Sequence, residues 1–298
     1  MMRAMSSAIA GLKAMQTGID VIGNNISNVN TNGYKASRTT YSDVYYQTVS
    51  GATAGDYDAT GKKAVTKGGT NNYQIGYGAT AASVDVYTGR NGYDNTSSAT
   101  DCYIDGEGYF AVMDGGTAAA PTYAYTRVGD FHFDANGELV NSKGQLVCGA
   151  NSDYAASATY TPTQTSGKFD ANPVPIVVQD YSTYKNVKIG SDGIITGETG
   201  GKVLTLGRIA IANIPNPAGL TQEGGSMYKT NNSSGTAAFY TAGTDPTGAL
   251  VTSALETSNV DLSTELANMI VTQRGFQANS KIITVTDSML EEIVNMKR

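Results

Sequence analysis

Apolar side chains recur at alternating steps of three and four residues through the N-terminal part of the chain. This spacing is the heptad pattern of a helix that packs along one seam against another helix, and it predicts a long helix within residues 1–32. Gly11, Gly18 and Gly23 lie away from the seam. Each weakens an isolated helix by about 1 kcal/mol, so we expect this helix to need partners. The pattern runs through Met1, Met5, Ala8, Leu12, Met15, Ile19, Ile22, Ile26 and Val29. Apart from Met1 and Ala8, these residues are the predicted contacts of the seam.

A second long helix is predicted within residues 251–298, because residues 260–298 contain no proline and a single glycine, Gly275. Ser258 or Asn259 is its expected N-cap. Large apolar side chains recur every seven residues along one seam, which consists of Leu262, Met269, Phe276, Ile283 and Leu290. A further apolar set widens this face in the second half of the helix: Ile282, Val285, Met289, Ile293 and Met296.

The apolar face of the C-terminal helix is wider than one partner helix can cover. Left uncovered, it would exceed the contiguous apolar patch of about a few hundred Å² that a monomer usually tolerates. Burial of both helices against neighbouring copies of the chain is therefore favoured. A closed helical hairpin within one monomer remains the alternative.

Between the two helices the pattern changes to short stretches separated by turn signals. Residues 33–72 predict an extended connector, since they become rich in Gly, Ala and Thr from about residue 50. Residues 73–250 predict a β-rich domain, with an excursion at the surface over residues 149–175. The predicted fold class is therefore α+β, with two long terminal helices that pair as a coiled-coil stalk and one central, mostly β domain.

Two dipeptides in the middle of the chain predict β-hairpins. Asn136-Gly137 lies between Phe131–Phe133 and Leu139, and Asp192-Gly193 lies between Val187 and Ile194. Asn-Gly and Asp-Gly favour tight turns because both positions of a two-residue turn require positive φ.

Composition excludes several classes of function. Charged residues make up 15% of the chain, against about 25% in an average domain. The formal net charge of −6 argues against a nucleic-acid partner, because binding to phosphates needs clustered Lys and Arg. The chain also lacks a run of about 18 apolar residues, so we expect no insertion into a membrane. We expect no cleavable secretory signal either.

No residue cluster in the sequence predicts catalysis, a cofactor or a metal. His132 is the only histidine, and its place between two phenylalanines on a strand predicts an exposed side chain. Residues 105–108 read as a turn, and Cys102 and Cys148 lack the spacing of zinc ligands. An envelope enzyme would have to use His132, and a secreted adhesin with helical stalks is the other alternative. The expected protein is not an enzyme.

Two long motifs carry a resemblance to a known family. Residues 21–35 read VIGNNISNVNTNGYK, and residues 269–281 read MIVTQRGFQANSK. Both resemble signatures of the bacterial flagellar rod and hook proteins, and residues 68–78 and 105–110 also fit that family. The signature positions are Asn24, Asn25, Asn28, Asn30, Gly33, Gln273, Arg274, Asn279 and Ser280.

The resemblance implies an extracellular part of the flagellum, either hook or basal-body rod. It implies a helical homopolymer whose paired terminal helices form an inner tube, with the β domain outside. It also implies passage through the flagellar type III export apparatus. The implied partners are other copies of the chain, the distal rod protein, the hook cap protein and the hook-filament junction protein.

Within the family, residues 276–280 and 290–298 resemble hook proteins more than the distal rod protein. The expected function is therefore that of a hook subunit, which forms a curved tube that transmits torque from rod to filament. It would be a short form, without the further outer β domain of many hook proteins. The length of the chain approaches that of the distal rod protein, which is the alternative.

Overall fold

The structure, a computed structural model, describes residues 2–55, 67–117, 120–151, 164–165, 167–169 and 172–296. The chain divides into two compact units. The helical unit consists of Met1–Ser27, Ser37–Asp85 and Asp261–Arg298, and the β unit consists of Asn28–Ala36 and Val86–Val260. The predicted α+β class is confirmed, since a long helix lies at each end of the chain and strands lie between them.

Among its described residues, the helical unit contains two long helices and two pairs of short strands. Its elements are α1 (Met2–Ser27), β1 (Ser37–Asp43), β2 (Tyr46–Ser50), β3 (Tyr73–Gly76), β4 (Ala79–Val86) and α2 (Leu262–Met296). β1 pairs with β4, and β2 pairs with β3. In its described part, the segment predicted as an extended connector, residues 33–72, thus contains the strands β1 and β2. Both strands contain the strand-favouring residues Thr and Tyr.

The β unit contains nineteen strands among its described residues. They are β5 (Tyr93–Asn95), β6 (Cys102–Asp105), β7 (Tyr109–Thr117), β8 (Ala120–Thr126), β9 (Phe131–Phe133), β10 (Leu139–Asn141), β11 (Cys148–Asn151), β12 (Gln164–Thr165), β13 (Lys168–Phe169), β14 (Val174–Pro175), β15 (Lys185–Ile189), β16 (Ile194–Thr199), β17 (Lys202–Ile209), β18 (Ile211–Asn213), β19 (Thr221–Gly224), β20 (Met227–Lys229), β21 (Ala238–Tyr240), β22 (Ala249–Thr252) and β23 (Ala254–Glu256).

These strands form two larger sheets and several pairs. The eight-stranded sheet has the order β12-β13-β21-β18-β7-β8-β20-β19, and the five-stranded sheet has the order β14-β11-β17-β16-β15. The main apolar core draws on both sheets, with Phe110, Ile195 and Ile211 fully buried. Phe131 of the β9–β10 hairpin packs edge-to-face on Phe110, with 5.1 Å between ring centroids. The β unit therefore has a large core of its own.

Both predicted hairpins are present, but their turns differ from the predicted two-residue form. Gly137 has φ 79° and Gly193 has φ 77°, whereas Asn136 and Asp192 are not among the residues with positive φ. In the first turn Gly137 N donates to Asp134 O, and Asp134 N donates to Glu138 O. The loop is thus longer than two residues, and a single positive-φ position, occupied by glycine, closes it.

The helix boundaries also refine the sequence-based prediction. α1 ends at Ser27, so Val29, the last predicted seam residue, lies in the turn that follows the helix. α2 begins at Leu262, and its N-cap is Asp261 rather than Ser258 or Asn259. Asp261 Oδ1 accepts from Ser263 N at 3.0 Å, and Asp261 Oδ2 accepts from Thr264 Oγ1 at 2.6 Å. These bonds hold the pKa of the Asp261 carboxyl below its ordinary value.

Much of the predicted surface excursion, residues 149–175, lies outside the described residues. The described part includes most of β11, which pairs with β14 and β17 inside the five-stranded sheet. Within the part of the chain that the structure describes, neither helix has a stretch long and apolar enough to cross a bilayer.

Candidate assembly surfaces

The two long helices lie side by side in antiparallel order. Four contacts define the order: Asn25 with Glu265, Gly18 with Thr272, Met15 with Gly275, and Gly11 with Asn279. Equal steps along both helices separate these contacts, so the register is constant. Glycines permit the close approach, since a Cβ added to Gly275 would lie 3.3 Å from Met15 Sδ.

The α2 side of this contact is made largely of small and polar residues. Thr272 and Thr286 are the only residues of α2 that are buried within the described chain. Glu265, Gly275 and Asn279 beside them are partly buried. Small and polar residues therefore supply the most buried part of the surface that α2 presents to α1.

The large side chains of the two predicted seams are only half-buried or exposed, whereas a coiled coil within one chain would bury them. On α1 the large seam residues are half-buried, as is Val29 beyond the helix, whereas Ala8 of the same heptad pattern is buried. On α2 Met269, Ile283 and Leu290 are half-buried, whereas Leu262 and Phe276 are 42% and 38% exposed. Within one chain the two predicted seams are thus only partly covered.

The clearest uncovered apolar surface is on the second half of α2. Ile282, Val285, Met289, Ile293 and Met296 are all exposed, and they follow one another at steps of three and four residues. This spacing places them on one face of the helix, which we call the α2 stripe. The α2 stripe is therefore a candidate contact surface, because association would remove its apolar side chains from water.

The other helix is covered on a further side by strands of the same unit. A Cβ added to Gly78, in the turn between β3 and β4, would lie 2.9 Å from the carbonyl oxygen of Ser7. Tyr41 of β1 brings its hydroxyl against Gly18. Among the large apolar residues described in α1, only Met2 and Ile9 are exposed. Of the two helices, α2 therefore carries most of the exposed large apolar residues.

Asn25 explains one position of the N-terminal signature. Its side chain is buried and exchanges two hydrogen bonds with the backbone of Ser37: Nδ2 donates to Ser37 O at 2.7 Å, and Oδ1 accepts from Ser37 N at 3.0 Å. The same Nδ2 also donates to Glu265 Oε1 at 3.2 Å. A single amide thus fixes the start of β1 and contacts α2.

Gly33, another signature position, requires glycine for two reasons. Its φ is 64°, and a Cβ there would lie 2.8 Å from Val128 Cγ2. Its N–H donates to Glu256 O at 2.8 Å, in the segment that leads to α2. The N-terminal motif is therefore in direct backbone contact with β23, the strand that contains Glu256.

The remaining signature positions have more local contacts. Asn28 Oδ1 accepts from Thr31 Oγ1 at 3.2 Å in the turn after α1, where Asn30 is exposed. Gln273 and Arg274 are exposed on α2, and Arg274 Nη1 donates to Gln277 Oε1 at 3.1 Å. The other three signature residues lie on the helices: Asn24 is exposed, and Asn279 and Ser280 are half-buried.

A buried ionic cluster was not predicted from the sequence. Lys35 Nζ lies 2.6 Å from Glu256 Oε1, and both side chains are almost completely buried. Arg127 Nη1 lies 3.9 Å from the other oxygen of Glu256. Burial lowers the pKa of Lys35, and the negative charge of Glu256 opposes that shift. Lys35 stands in the N-terminal motif, but nothing in the sequence pairs it with a residue 221 positions away.

The candidate residues for chemistry, His132, Cys102 and Cys148, all belong to the β unit. His132 is exposed on β9, as predicted. Cys102 and Cys148 are buried free thiols, and burial raises the pKa of Cys148 to about 12. Among the described residues no group of three or more His, Cys, Asp or Glu side chains is arranged to hold a metal ion.

Models of three protein families match this chain. Residues 5–35 match the flagella basal body rod protein family, and residues 103–197 match the D1 domain of flagellar hook protein FlgE/F/G. Residues 251–296 match the C-terminal region of the flagellar basal body rod FlgEFG proteins. The first and last of these matches contain the two signature motifs.

Curated relatives align with the chain from end to end. The flagellar basal-body rod protein FlgG of Bacillus subtilis is 40% identical over 301 residues, covering 100% of both chains. The FlgG protein of Borreliella burgdorferi is 33% identical over 302 residues, again covering 100% of both. The flagellar hook protein FlgE of the same organism is 25% identical, in an alignment of 454 positions that spans 100% of both chains.

Proposed function

The chain belongs to the family of flagellar basal-body rod and hook proteins, and from this premise we propose that it is a subunit of the distal rod of the basal body. In this proposal the subunit polymerises into a tube, with the helices on the inside and the β unit on the outside. As a member of this family it is a structural component of the flagellum and serves motility.

The exposed α2 stripe is the observation that carries the proposal of polymerisation. The most buried contacts of α2 within one chain are small and polar, and the five large apolar residues of the α2 stripe are exposed to water. Burying a large apolar side chain contributes about 1.5–3 kcal/mol, so covering the stripe with neighbouring copies would stabilise an assembly strongly. Contacts that repeat from copy to copy without closing produce a helical filament.

We extend the proposal to the predicted seams. The half-buried seam residues of α1 and α2 would complete their burial against neighbouring helices, and Leu262 and Phe276 would join them. Coiled-coil packing then belongs to the assembled tube, where more than two helices meet. Passage through the flagellar type III export apparatus, and no enzymatic activity, form part of the same proposal.

The rod is preferred over the hook on two observations. Relatives named as rod proteins align over their whole length at 40% and 33% identity, against 25% for the relative named as a hook protein. The hook relative also requires an alignment of 454 positions for a chain of 298 residues. The chain therefore fits the rod relatives without long gaps.

A hook subunit remains the second candidate, because residues 276–280 and 290–298 resemble hook proteins. In that case the tube would be curved, and its neighbours would include the hook cap and hook-filament junction proteins. For the rod, the expected neighbours are other copies and the components at either end of the distal rod.

Localising the assembled protein distinguishes the two candidates. Electron microscopy of hook–basal bodies that carry a small tag at β19, whose residues are exposed, should place the tag on the straight rod. A tag on the curved segment outside the basal body would support the hook. Tags on neither structure would contradict both candidates.

A further inference from the structure

We propose that Lys35, Asn91, Glu256 and Asn259 form a clasp that keeps the β unit closed when the polymer is under tension. The proposal rests on the proposed function, because a subunit of a tube that transmits force is loaded through its own backbone. The clasp lies where the chain enters and leaves the β unit.

Every covalent connection to the β unit passes through three short segments. The chain enters and leaves it in residues 28–36, enters again at Val86, and leaves for the last time at Val260. Any force that reaches the β unit along the backbone therefore acts on these ends. If they were held only by the sheets, tension would separate the outer strands first.

Asn259 joins the last of these segments to the other two. Its Oδ1 accepts from Ala36 N at 2.6 Å, and its Nδ2 donates to Tyr87 O at 2.9 Å. Tyr87 N in turn donates to Ala36 O at 2.7 Å. The Asn259 side-chain amide thus bonds to the backbone of both other segments, and those two segments bond to each other.

The Lys35–Glu256 pair also links the three segments, through side chains that are more buried than Asn259. Lys35 Nζ donates to Glu256 Oε1 at 2.6 Å and to Gly89 O at 2.8 Å. Lys35 and Glu256 are each about 1% exposed, and Asn91 N lies 3.4 Å from the same carboxylate oxygen. Charge-assisted hydrogen bonds are stronger than bonds between neutral groups. The bonds of Lys35 and Glu256 should therefore resist separation more than neutral bonds at the same place would.

Further bonds hold the same segments. Asn91 Nδ2 donates to Ser258 O, and Thr257 N donates to Gly92 O at 3.1 Å. Tension on Val86 and Val260 in opposite directions would therefore load several bonds together. Bonds loaded together must break together, which slows opening more than the same bonds broken one after another.

Single-molecule pulling on the full chain tests the clasp. Cysteine handles at Val84 and Ser263, both exposed, flank the β unit and apply force across Val86–Val260. The native Cys102 and Cys148 are buried, so they compete poorly for the handle chemistry. With Asn259→Ala the opening rate at constant force should rise about tenfold, the effect of losing two well-made hydrogen bonds.

Asn231→Ala is the matched control. Its amide also bonds to backbone groups, with Nδ2 donating to Gly219 O and Oδ1 accepting from Ser233 N, but it lies away from the three segments. Its opening rate should stay near that of the wild type. Asn259→Asp keeps the bond from Ala36 N and loses the donor to Tyr87 O, so an intermediate rate is expected.

The outcomes separate the clasp from the proposed function. Equal opening rates for Asn259→Ala and Asn231→Ala, or an unchanged rate for Asn259→Ala, would overturn the clasp. Pulling uses single chains and does not depend on assembly. Failure of the wild-type protein to form tubes would instead overturn the proposed function and leave the pulling result intact.

Discussion

The side-chain amide of Asn25 pairs with the backbone of Ser37 through two hydrogen bonds, of 2.7 and 3.0 Å, as a strand residue would pair with its neighbour. Asn25 lies in the last turns of α1, and Ser37 is the first residue of β1. The amide also reaches Glu265 of α2. This one residue therefore connects three elements of the helical unit, which gives a physical reason for asparagine at this place in the motif.

Replacing Asn25 with alanine should destabilise the helical unit by about 1–3 kcal/mol, because the backbone groups of Ser37 lose their partners away from water. Chemical unfolding followed by circular dichroism at the helix band measures the change. Asn30→Ala is the control, since Asn30 is exposed and its loss should change stability by no more than about 0.5 kcal/mol. Equal effects of both substitutions would contradict the role given to Asn25.

Gly137 and Gly144 form a matched pair for testing the hairpin turn. Both have positive φ, of 79° and 78°, but a Cβ at Gly137 would overlap the carbonyl oxygen of Val178, whereas none of the atoms around Gly144 comes within 4 Å. Gly144→Ala should cost about 1–2 kcal/mol for the left-handed conformation alone. Gly137→Ala should cost clearly more in a thermal melt of the β unit. A smaller loss for Gly137→Ala would show that the turn is described wrongly.

The cap at Asp261 should make the start of α2 sensitive to acid. Hydrogen bonds from Thr264 and then from Ser263 hold the pKa of Asp261 below its ordinary value of 3.8. The stabilisation is thus present above pH 3.8 and is lost as the pH falls through the lower, folded-state pKa. A carboxyl NMR titration should report a value below 3.8. Asp261→Asn keeps a capping side chain without titrating, so its helix start should not respond to pH in this range.

The regular parts of the fold followed from local patterns in the sequence. Heptad spacing predicted α1 and α2, and the Asn-Gly and Asp-Gly pairs placed two hairpins correctly, because these signals act over only a few residues. The turn geometry was wrong in detail: Asn136 and Asp192 do not have positive φ. Strands β1 and β2 were not predicted, because the Gly-, Ala- and Thr-rich composition after residue 50 indicated a connector for the whole segment 33–72. The Thr- and Tyr-containing stretches before residue 50 are too short to indicate strands by themselves.

Contacts between distant residues could not be predicted in the same way. Ser258 and Asn259 have the residue types of helix caps, yet Asn259 bonds to Ala36 and Tyr87, and Asp261 takes the cap. The Lys35–Glu256 pair likewise depends on how the strands bring two remote segments together. The neighbouring residues in the sequence do not determine which remote groups these side chains will contact.

The central claim is that α2 supplies the apolar surface on which neighbouring copies assemble. Ile22 and Ile283 on the predicted seams are half-buried within the chain, so a charge there would disturb the helix pair as well as the assembly. Residues of the α2 stripe are exposed, and they avoid this ambiguity. Thr284, also exposed, is a suitable control position on another side of the same helix.

Electron microscopy of concentrated Val285→Asp and Thr284→Asp proteins, each beside the wild type, tests this claim most directly. An unpaired carboxylate buried at each subunit contact costs several kcal/mol. We predict that Val285→Asp leaves the thermal unfolding of the monomer unchanged and abolishes tubes, whereas Thr284→Asp forms them. Tubes of normal length from Val285→Asp would contradict the claim and would favour a closed helix pair within each chain.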